Sequence, residues 1–468
     1  MRVIIVGAGK LGYKLAEAMT QEDIDVTIMD VNPYVLEPIN EHMDVLTVEA
    51  NGIDIKALKE LNIQTCDILV ATTGRDETNT VICALAKKLG CKNTIARIRS
   101  PEYMEQIEFV KDEMGIDFIV NPDLDTAKII RKYLLKQYLI HTGEFANGRV
   151  RIIDYNIGHN VELVYRKLKD LEGFDNLLIA AISREGNIII PHGDTELLED
   201  DVIYVIGDVE HIDEFSNRFN LKKNDKEIEN VMILGGSNIG YYLSKELAAS
   251  KISVRLIEQN EDRAMELSNK LDNCLVIHGD GTDFNLLEEE MLSSMDAFIG
   301  VTGFDEQNLL MALVAKQEGV SKSIAKISRQ NYSKIINRLA IDAAVNPVYI
   351  TASNILKYIR GGRVISVSLF LAGDGEVTEL IVGKDSPFTN KPLCKLNLPK
   401  GIIIGAIIRN DQVIIPKGDS ILKADDRIVV FCLSEDVLTL KKFFSPAKGG
   451  ILSELFYRNK GSRNLDDN

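Results

Sequence analysis

The sequence predicts an α/β protein with two Rossmann-like, doubly wound parallel sheets, each followed by a small α+β domain. Three observations carry that expectation. A glycine turn occurs twice, each time directly after an apolar run: Gly7-Ala8-Gly9-Lys10-Leu11-Gly12 follows Val3-Ile4-Ile5-Val6, and Gly235-Gly236-Ser237-Asn238-Ile239-Gly240 follows Val231-Met232-Ile233-Leu234. Eighteen residues past the last glycine of each turn an acid ends the next strand-like run, Asp30 in the first copy and Glu258 in the second. After each such unit the texture changes to short β-type runs. One glycine motif is weak evidence, whereas a duplicated motif with its acid is strong.

In the first unit, apolar residues at helical spacing over 11–19 follow the glycine turn, and strands are expected near 25–30, 45–48, 67–71, 94–98 and 118–120. Short apolar strands joined by helices specify a parallel sheet covered on both faces. The second unit repeats the order. Thr73-Gly74-Arg75-Asp76-Glu77-Thr78-Asn79 returns as Thr302-Gly303-Phe304-Asp305-Glu306-Gln307-Asn308 at an offset of 229, and Val120-Asn121-Pro122 as Val345-Asn346-Pro347 at 225. The drop in offset marks a shortened helix between Ser328 and Ala340.

The small domains show β-type runs at 150–155, 177–182, 187–190 and 201–206, echoed over 364–444. The echo is sharpest where Ile190-Pro191-His192-Gly193-Asp194 meets Ile415-Pro416-Lys417-Gly418-Asp419, and Asp200-Asp201 meets Asp425-Asp426. The expected boundaries are 1–140 and 229–360 for the nucleotide-binding domains, 141–222 and 363–446 for the small ones, a charged linker over 222–230, and a flexible tail over 447–468.

Composition narrows the function. A net charge of −16 argues against a nucleic-acid partner, because that binding runs on basic surface and counterion release. The acid excess sits mostly in residues 1–226, at −13 against −3 for the remainder, and reads as ordinary solvated surface. Six cysteines without a CxxC pair read as buried apolar thiols in a reducing compartment, not as disulfides or a zinc site. No signal peptide is visible and no apolar run approaches the roughly 20 residues of a membrane span, so a soluble intracellular protein is expected.

The motifs point to a dinucleotide. Gly7 allows a tight bend, Gly9 lets backbone approach a pyrophosphate, Gly12 permits close helix-to-sheet packing, and the helix amino terminus offers N–H donors to phosphate. Asp30 would accept from both adenosine ribose hydroxyls and repel a 2′-phosphate, favouring NAD over NADP; Glu258 does the same from a longer arm. Ser237 replaces the middle glycine, so the second site is expected to bind more weakly, take a smaller nucleotide, or stay empty. Asp280 can accept from an adenine amino group, as can Asn51 without charge; Asp54 and Asp283 double as helix N-caps. Arg97 and Arg99 fall at the carboxyl edge of the sheet, where one of them could clamp phosphate, and Lys326 is the cation left in the second copy.

With the duplicated turn, the TGxDExN repeat, Ala96-Arg97-Ile98-Arg99-Ser100-Pro101-Glu102-Tyr103 and the two small domains assembled, residues 1 to about 446 resemble the TrkA family, NAD-binding regulatory subunits of Trk potassium uptake systems built from tandem RCK, or KTN, domains. The resemblance implies a non-catalytic protein, peripheral on the cytoplasmic face of the membrane. It also implies a homodimer or higher homo-oligomer that acts on an integral potassium-translocating subunit. Its ligands would be NAD or NADH, with ATP or ADP as further candidates. It places Gly7 through Leu11, Asp30, Thr72, Thr73 and Arg97 around the first site, and Gly235 through Ile239, Glu258, Asp280 and Thr302 around the second. The stretches 124–139 and 349–359 read as crossover helices that pack on a neighbour. Two alternatives stand beside this. An NAD-dependent oxidoreductase needs an acid or base beside the nicotinamide, and the histidines (42, 141, 159, 192, 211, 278) are scattered, with His192 replaced by Lys417 in the other copy. A free-standing nucleotide sensor would share every site residue.

Overall fold

Apolar runs alternating with amphipathic helices build two six-stranded sheets. In the computed structural model the first consists of β1 (Arg2–Val6), β2 (Asp25–Asp30), β3 (Leu46–Glu49), β4 (Ile68–Ala71), β5 (Asn93–Arg97) and β6 (Phe118–Val120). Their order is β3-β2-β1-β4-β5-β6 and every pairing is parallel. The structure describes residues 1–444 apart from 23, 137–143, 159, 161, 175, 186, 200, 220–226, 330–331, 333–338, 362–363, 371–374 and 385. The tail from 447, most of the linker, much of the segment 328–340, and Asp200, His141 and His159 therefore lie outside the described residues.

The small domain that follows comprises β7 (Glu144–Phe145), β8 (Val150–Asn156), β9 (Leu177–Arg184), β10 (Asn187–Ile189) and β11 (Val202–Asp208), an antiparallel sheet in the order β10-β9-β11-β8-β7. The second parallel sheet takes β12 (Asn230–Leu234), β13 (Ser253–Glu258), β14 (Cys274–His278), β15 (Ala297–Gly300), β16 (Lys322–Lys326) and β17 (Ala343–Val345) in the same topology, β14-β13-β12-β15-β16-β17. The second antiparallel sheet, β18 (Val364–Phe370), β19 (Gly375–Ile381), β20 (Ile402–Arg409), β21 (Gln412–Ile414) and β22 (Arg427–Leu433), repeats the first small sheet in the order β18-β19-β22-β20-β21. The fold class is the one the glycine turns and strand runs predict.

Burial on both faces explains the apolar strands, since Val3, Ile4 and Ile5 are all fully buried. The helix Lys10–Thr20 covers one face with Leu11, Leu15, Ala16 and Met19, at the helical spacing the sequence shows. Side-chain caps begin the helices as expected: Asp54 accepts from the Lys56 N–H and Asp283 from the Asn285 N–H. The two crossover helices run over Pro122–Lys136 and Pro347–Arg360, each with proline at its first position. One expectation needs correcting. Cys66, Cys83, Cys91 and Cys432 are buried, but Cys394 is exposed and Cys274 half-buried. Cys394 falls in the short turn Leu393–Lys395 instead of on a strand, so no sheet face covers it.

The chain divides into two compact units, Met1–Ile140 with Asn224–Ala352, and His141–Lys223 with Ser353–Asn468. In the first unit the helix Pro122–Lys136 lies against the helix Asn238–Ala249, and Ala127, Ile130, Tyr133 and Leu134 join Tyr241, Tyr242 and Leu247 in one core. In the second, Ile152, Ala180, Tyr204 and Ile206 of one small sheet share a core with Val377, Ala406, Val429 and Phe431 of the other. The contact is close, because a Cβ on Gly405 would lie 2.5 Å from Ile206 Cδ1.

Candidate functional site

The three glycines of the first turn divide by what surrounds them. Gly7 adopts φ +107°, and a Cβ there would lie 2.8 Å from the Thr72 carbonyl carbon and the Thr73 nitrogen. A Cβ on Gly12 would lie 1.9 Å from the Gly7 oxygen. The protein's own packing therefore demands glycine at both places. At Gly9 a Cβ would meet nothing within 4 Å. Glycine there answers no internal need and leaves an open cradle at the start of the helix Lys10–Thr20. That helix start has no side-chain cap and no acid in its first turn, so it keeps the partial positive charge that suits an anion. Lys10 is exposed beside it, whereas Ala8 and Leu11 are buried and offer only backbone.

Asp30 is tied to the turn. Its Oδ2 accepts the Ala8 N–H at 2.7 Å and its Oδ1 accepts the Asn32 N–H at 2.9 Å. A carboxylate has about four acceptor sites, so each oxygen keeps capacity for a hydroxyl donor. Thr72 braces the turn from behind, its Oγ1 donating to the Gly7 carbonyl at 3.0 Å. Asn51 is exposed and its Oδ1 accepts the Ile53 N–H at 3.2 Å, closing a local turn at the end of β3.

At the carboxyl edge, Arg97 Nη2 donates to the Thr73 carbonyl at 2.7 Å, while its Nε is buried with no hydrogen-bond partner. Burial, and then the neighbouring Arg99 charge, hold this guanidinium below its ordinary pKa. Arg99 turns away and pairs with Asp123 at 2.8 Å. Of the two arginines the sequence offers, Arg97 is the one at the turn.

Asn79 is a residue that reading by motif missed. It is fully buried; its Oδ1 accepts from the Thr73 N–H (2.8 Å) and Oγ1–H (2.7 Å), and its Nδ2 donates to the carbonyls of Thr73 (3.2 Å) and Arg97 (2.9 Å). The clue was present, because the asparagine ends both copies of the TGxDExN segment.

The second turn repeats the frame. Gly235 has φ +107°, a Cβ on Gly240 would lie 2.2 Å from the Gly235 oxygen, and Glu258 accepts the N–H groups of Gly236 (2.6 Å) and Asn260 (2.8 Å). Asn308 repeats the Asn79 bonds to Thr302, and Lys326 Nζ donates to the Thr302 carbonyl at 2.6 Å, as Arg97 does to Thr73. Burial lowers the Lys326 pKa.

Its differences concentrate at the cradle. The Ser237 hydroxyl donates to the Val301 carbonyl at 2.8 Å and caps the helix Asn238–Ala249 through the Gly240 N–H at 3.4 Å. Asn238 Nδ2 reaches the Arg99 carbonyl at 3.3 Å, and Ile239 is buried. Asp280 accepts from the N–H and hydroxyl of Thr282 (2.9 and 2.8 Å), which hold its carboxyl below the usual range. Arg263 also went unread. Its Nε donates to the Gly236 carbonyl at 2.9 Å, where the first copy has the apolar Val35.

Duplicated parallel sheets with paired glycine turns, each followed by an antiparallel companion, define a tandem Rossmann-type protein of the RCK kind. The chain matches the TrkA-N domain over residues 3–122 and 231–347, and the TrkA-C domain over 152–220 and 377–445. It belongs to the family of Trk system potassium uptake proteins TrkA. The TrkA homolog 1 of Methanosarcina mazei is 34% identical over 452 residues, spanning 95% of this chain and 100% of that protein. TrkA of Vibrio alginolyticus is 32% identical over 457 residues, spanning 96% and 99%. Among solved structures, the GsuK RCK domain aligns with a TM-score of 0.55 at 18% identity, covering 94% of each chain. The GsuK channel bound to NAD aligns at 0.54 and 17% identity, covering 94% of this chain and 78% of that one. At such identities the likeness shows the fold alone. Among the described residues no helix is long and apolar enough to cross a membrane, and no group of three or more His, Cys, Asp or Glu is placed to hold a metal ion.

Proposed function

We propose that this chain is a non-catalytic, nucleotide-sensing regulatory subunit that gates an integral potassium-translocating protein of the Trk type from the inner face of the membrane. The observation that carries the reading is the open cradle at Gly9, the one glycine of the first turn for which the fold itself has no use. Beside it stand an uncapped helix start for phosphate and Asp30, tied to the turn through the Ala8 N–H, for the ribose hydroxyls, while Arg97 is fixed on the Thr73 carbonyl that borders Gly7. Gly7 through Gly12, Asp30, Asn51, Thr73 and Arg97 would hold NAD or NADH. In this role the dinucleotide supplies a signal instead of a hydride.

The second site, with Gly235 through Gly240, Glu258, Asp280, Thr302 and Lys326, has its cradle filled by the Ser237 side chain and a cation, Arg263, on the turn. These features favour a smaller anionic nucleotide, ADP or ATP, over a dinucleotide. Ligand gates conduction only by binding one arrangement of the assembly better than another, so the nucleotides must differ in affinity between the two states.

Calorimetric titration of the purified protein with NAD, NADH, ADP and ATP tests the assignment. NAD is expected to bind at the first site, and Asp30→Ala to weaken it by about 1–3 kcal/mol, the scale for losing hydrogen bonds to a charged acceptor. Unchanged affinity in that variant rules out the ribose role. Substrate-dependent oxidation of NADH by the protein would favour an oxidoreductase instead.

A further inference from the structure

One short segment of the first nucleotide domain touches both candidate sites. Its first residue, Arg97, holds the Thr73 carbonyl at the first site. Two residues on, the Arg99 carbonyl accepts from Asn238 Nδ2 and from the Tyr242 hydroxyl, both at 3.3 Å. Those donors lie in the first turn and a half of the helix that begins at the second glycine turn. Tyr242 is buried and its hydroxyl in turn accepts from Asn121 Nδ2 at 3.1 Å, so the contact is fixed on both sides.

A second connection starts three residues further along. Glu102 Oε1 accepts from Lys270 Nζ at 2.7 Å; Lys270 also meets Glu266, at 2.8 Å; Glu266 meets Arg263, at 2.7 Å; and Arg263 Nε donates to the Gly236 carbonyl. The segment is itself braced from the first site. Asp76 Oδ2 accepts the N–H groups of Arg99 and Ser100 at 2.8 and 2.7 Å, and Asp76 opens the same helix that carries Asn79.

The duplication supplies an internal comparison. The counterpart segment of the second copy keeps the brace, with Asp305 accepting from Ser328 and Arg329, and its described residues Arg329 and Tyr332 both bond Glu306 of the same domain, at 2.6 and 2.7 Å. Lys14 stands where Tyr242 stands in the other copy; it pairs with Glu17 of its own helix, and its ammonium lies 5.3 Å from the ring centroid of Tyr349 in the second domain. The Arg99 carbonyl is thus held by Asn238 and Tyr242, two side chains for which the first copy has Lys10 and Lys14.

We infer that residues 97–102 position the second glycine turn, through the Arg99 carbonyl and the Glu102 carboxylate, and pass to it the occupancy of the first site. This rests on the nucleotide reading of the first site given above. Any such coupling is reciprocal, so ligand at the second turn must alter NAD affinity by the same factor.

Hydrogen–deuterium exchange of the full chain, with and without saturating NAD, tests it in the wild type, in Gly9→Val, which fills the first cradle, and in the double variant Tyr242→Phe with Glu102→Ala, which leaves Lys270 no acceptor on the segment. Without nucleotide, the double variant is expected to exchange about three- to tenfold faster than wild type over 236–243 and unchanged over 7–13, the effect of removing one or two ordinary hydrogen bonds. Equal exchange over 236–243 overturns the positioning role, whatever NAD does. With NAD, wild type should slow over both 7–13 and 236–243, Gly9→Val over neither, and the double variant over 7–13 alone. Protection of 236–243 that persists in the double variant, or that survives Gly9→Val, overturns the coupling. If NAD protects no segment in the wild type, the nucleotide reading fails and the ligand-free comparison still decides the positioning role.

Discussion

At Asn79 one side-chain amide satisfies two groups of Thr73 on one edge and the carbonyls of Thr73 and Arg97 on the other. It uses both acceptor and both donor positions while fully buried. Replacing it with the similarly sized leucine strands the Thr73 N–H and the Arg97 carbonyl inside the protein. Unfolding in urea should therefore show Asn79→Leu less stable by about 2–4 kcal/mol, since each buried unpaired group costs roughly 1–3 kcal/mol. Asn308→Leu should cost a comparable amount, because its bonds repeat those of Asn79 within 0.1 Å. A loss in only one copy would mean that the repeated geometry does not carry repeated energy. The glycines and acids of both turns could be read from sequence because their spacing follows from the chemistry of a strand-turn-helix. Asn79 could not, since a polar residue inside a helix ordinarily reads as solvated surface, and its burial depends on strands β4 and β5 meeting above it.

Between elements, the contact of Pro122–Lys136 with the second domain leaves a lysine in an awkward place. Lys322, at the start of β16, donates to the Tyr133 carbonyl at 3.4 Å and its ammonium lies 4.8 Å from the Tyr133 ring centroid. Burial lowers its pKa to about 8, with Asp342 opposing and Lys316 adding to the shift. The sign follows from proton counts. Between about 8 and the ordinary 10.5 the unfolded chain holds this proton and the folded one does not, so the site's contribution to stability rises with pH through that window. Below pH 8 both states are protonated and the fold carries the whole desolvation cost. Lys322→Met should therefore be more stable than wild type at pH 7, and the difference in urea midpoint should shrink by pH 9. A difference independent of pH would show that the ammonium is well solvated there. Sequence spacing indicated that residues 124–139 form a crossover helix that packs on a neighbour. It did not indicate that the neighbour is a helix of the same chain, because Ile130, Tyr133 and Leu134 look the same whichever surface covers them.

At the scale of the molecule, duplication and pairing divide the chain differently. The copies are 1–226 and the remainder, but the compact units each take one domain from either copy. One core joins Ala127, Ile130, Tyr133 and Leu134 to Tyr241, Leu243 and Leu247, and another joins Ile152, Tyr204 and Ile206 to Val377, Val429 and Phe431. The repeats were plain in the sequence, whereas this exchange was not, because an offset of 225–229 reports common descent and carries no information about which faces meet. Cutting the chain at the linker would expose both shared cores at once, since each core is built from residues on both sides of it. A fragment 1–226 would then carry two apolar faces shaped to fit a near copy of itself. Expressed alone it should run by light scattering at twice its own mass or higher, with two fragments taking the place of the two copies. Adding the separately made fragment 227–468 should convert it to a one-to-one complex near the 52.1 kDa of the intact chain, because the native partner offers the buried Tyr242 where the first copy has Lys14. A folded fragment 1–226 that remains monomeric at micromolar concentration would mean the shared cores contribute little, and that each domain is stable by itself.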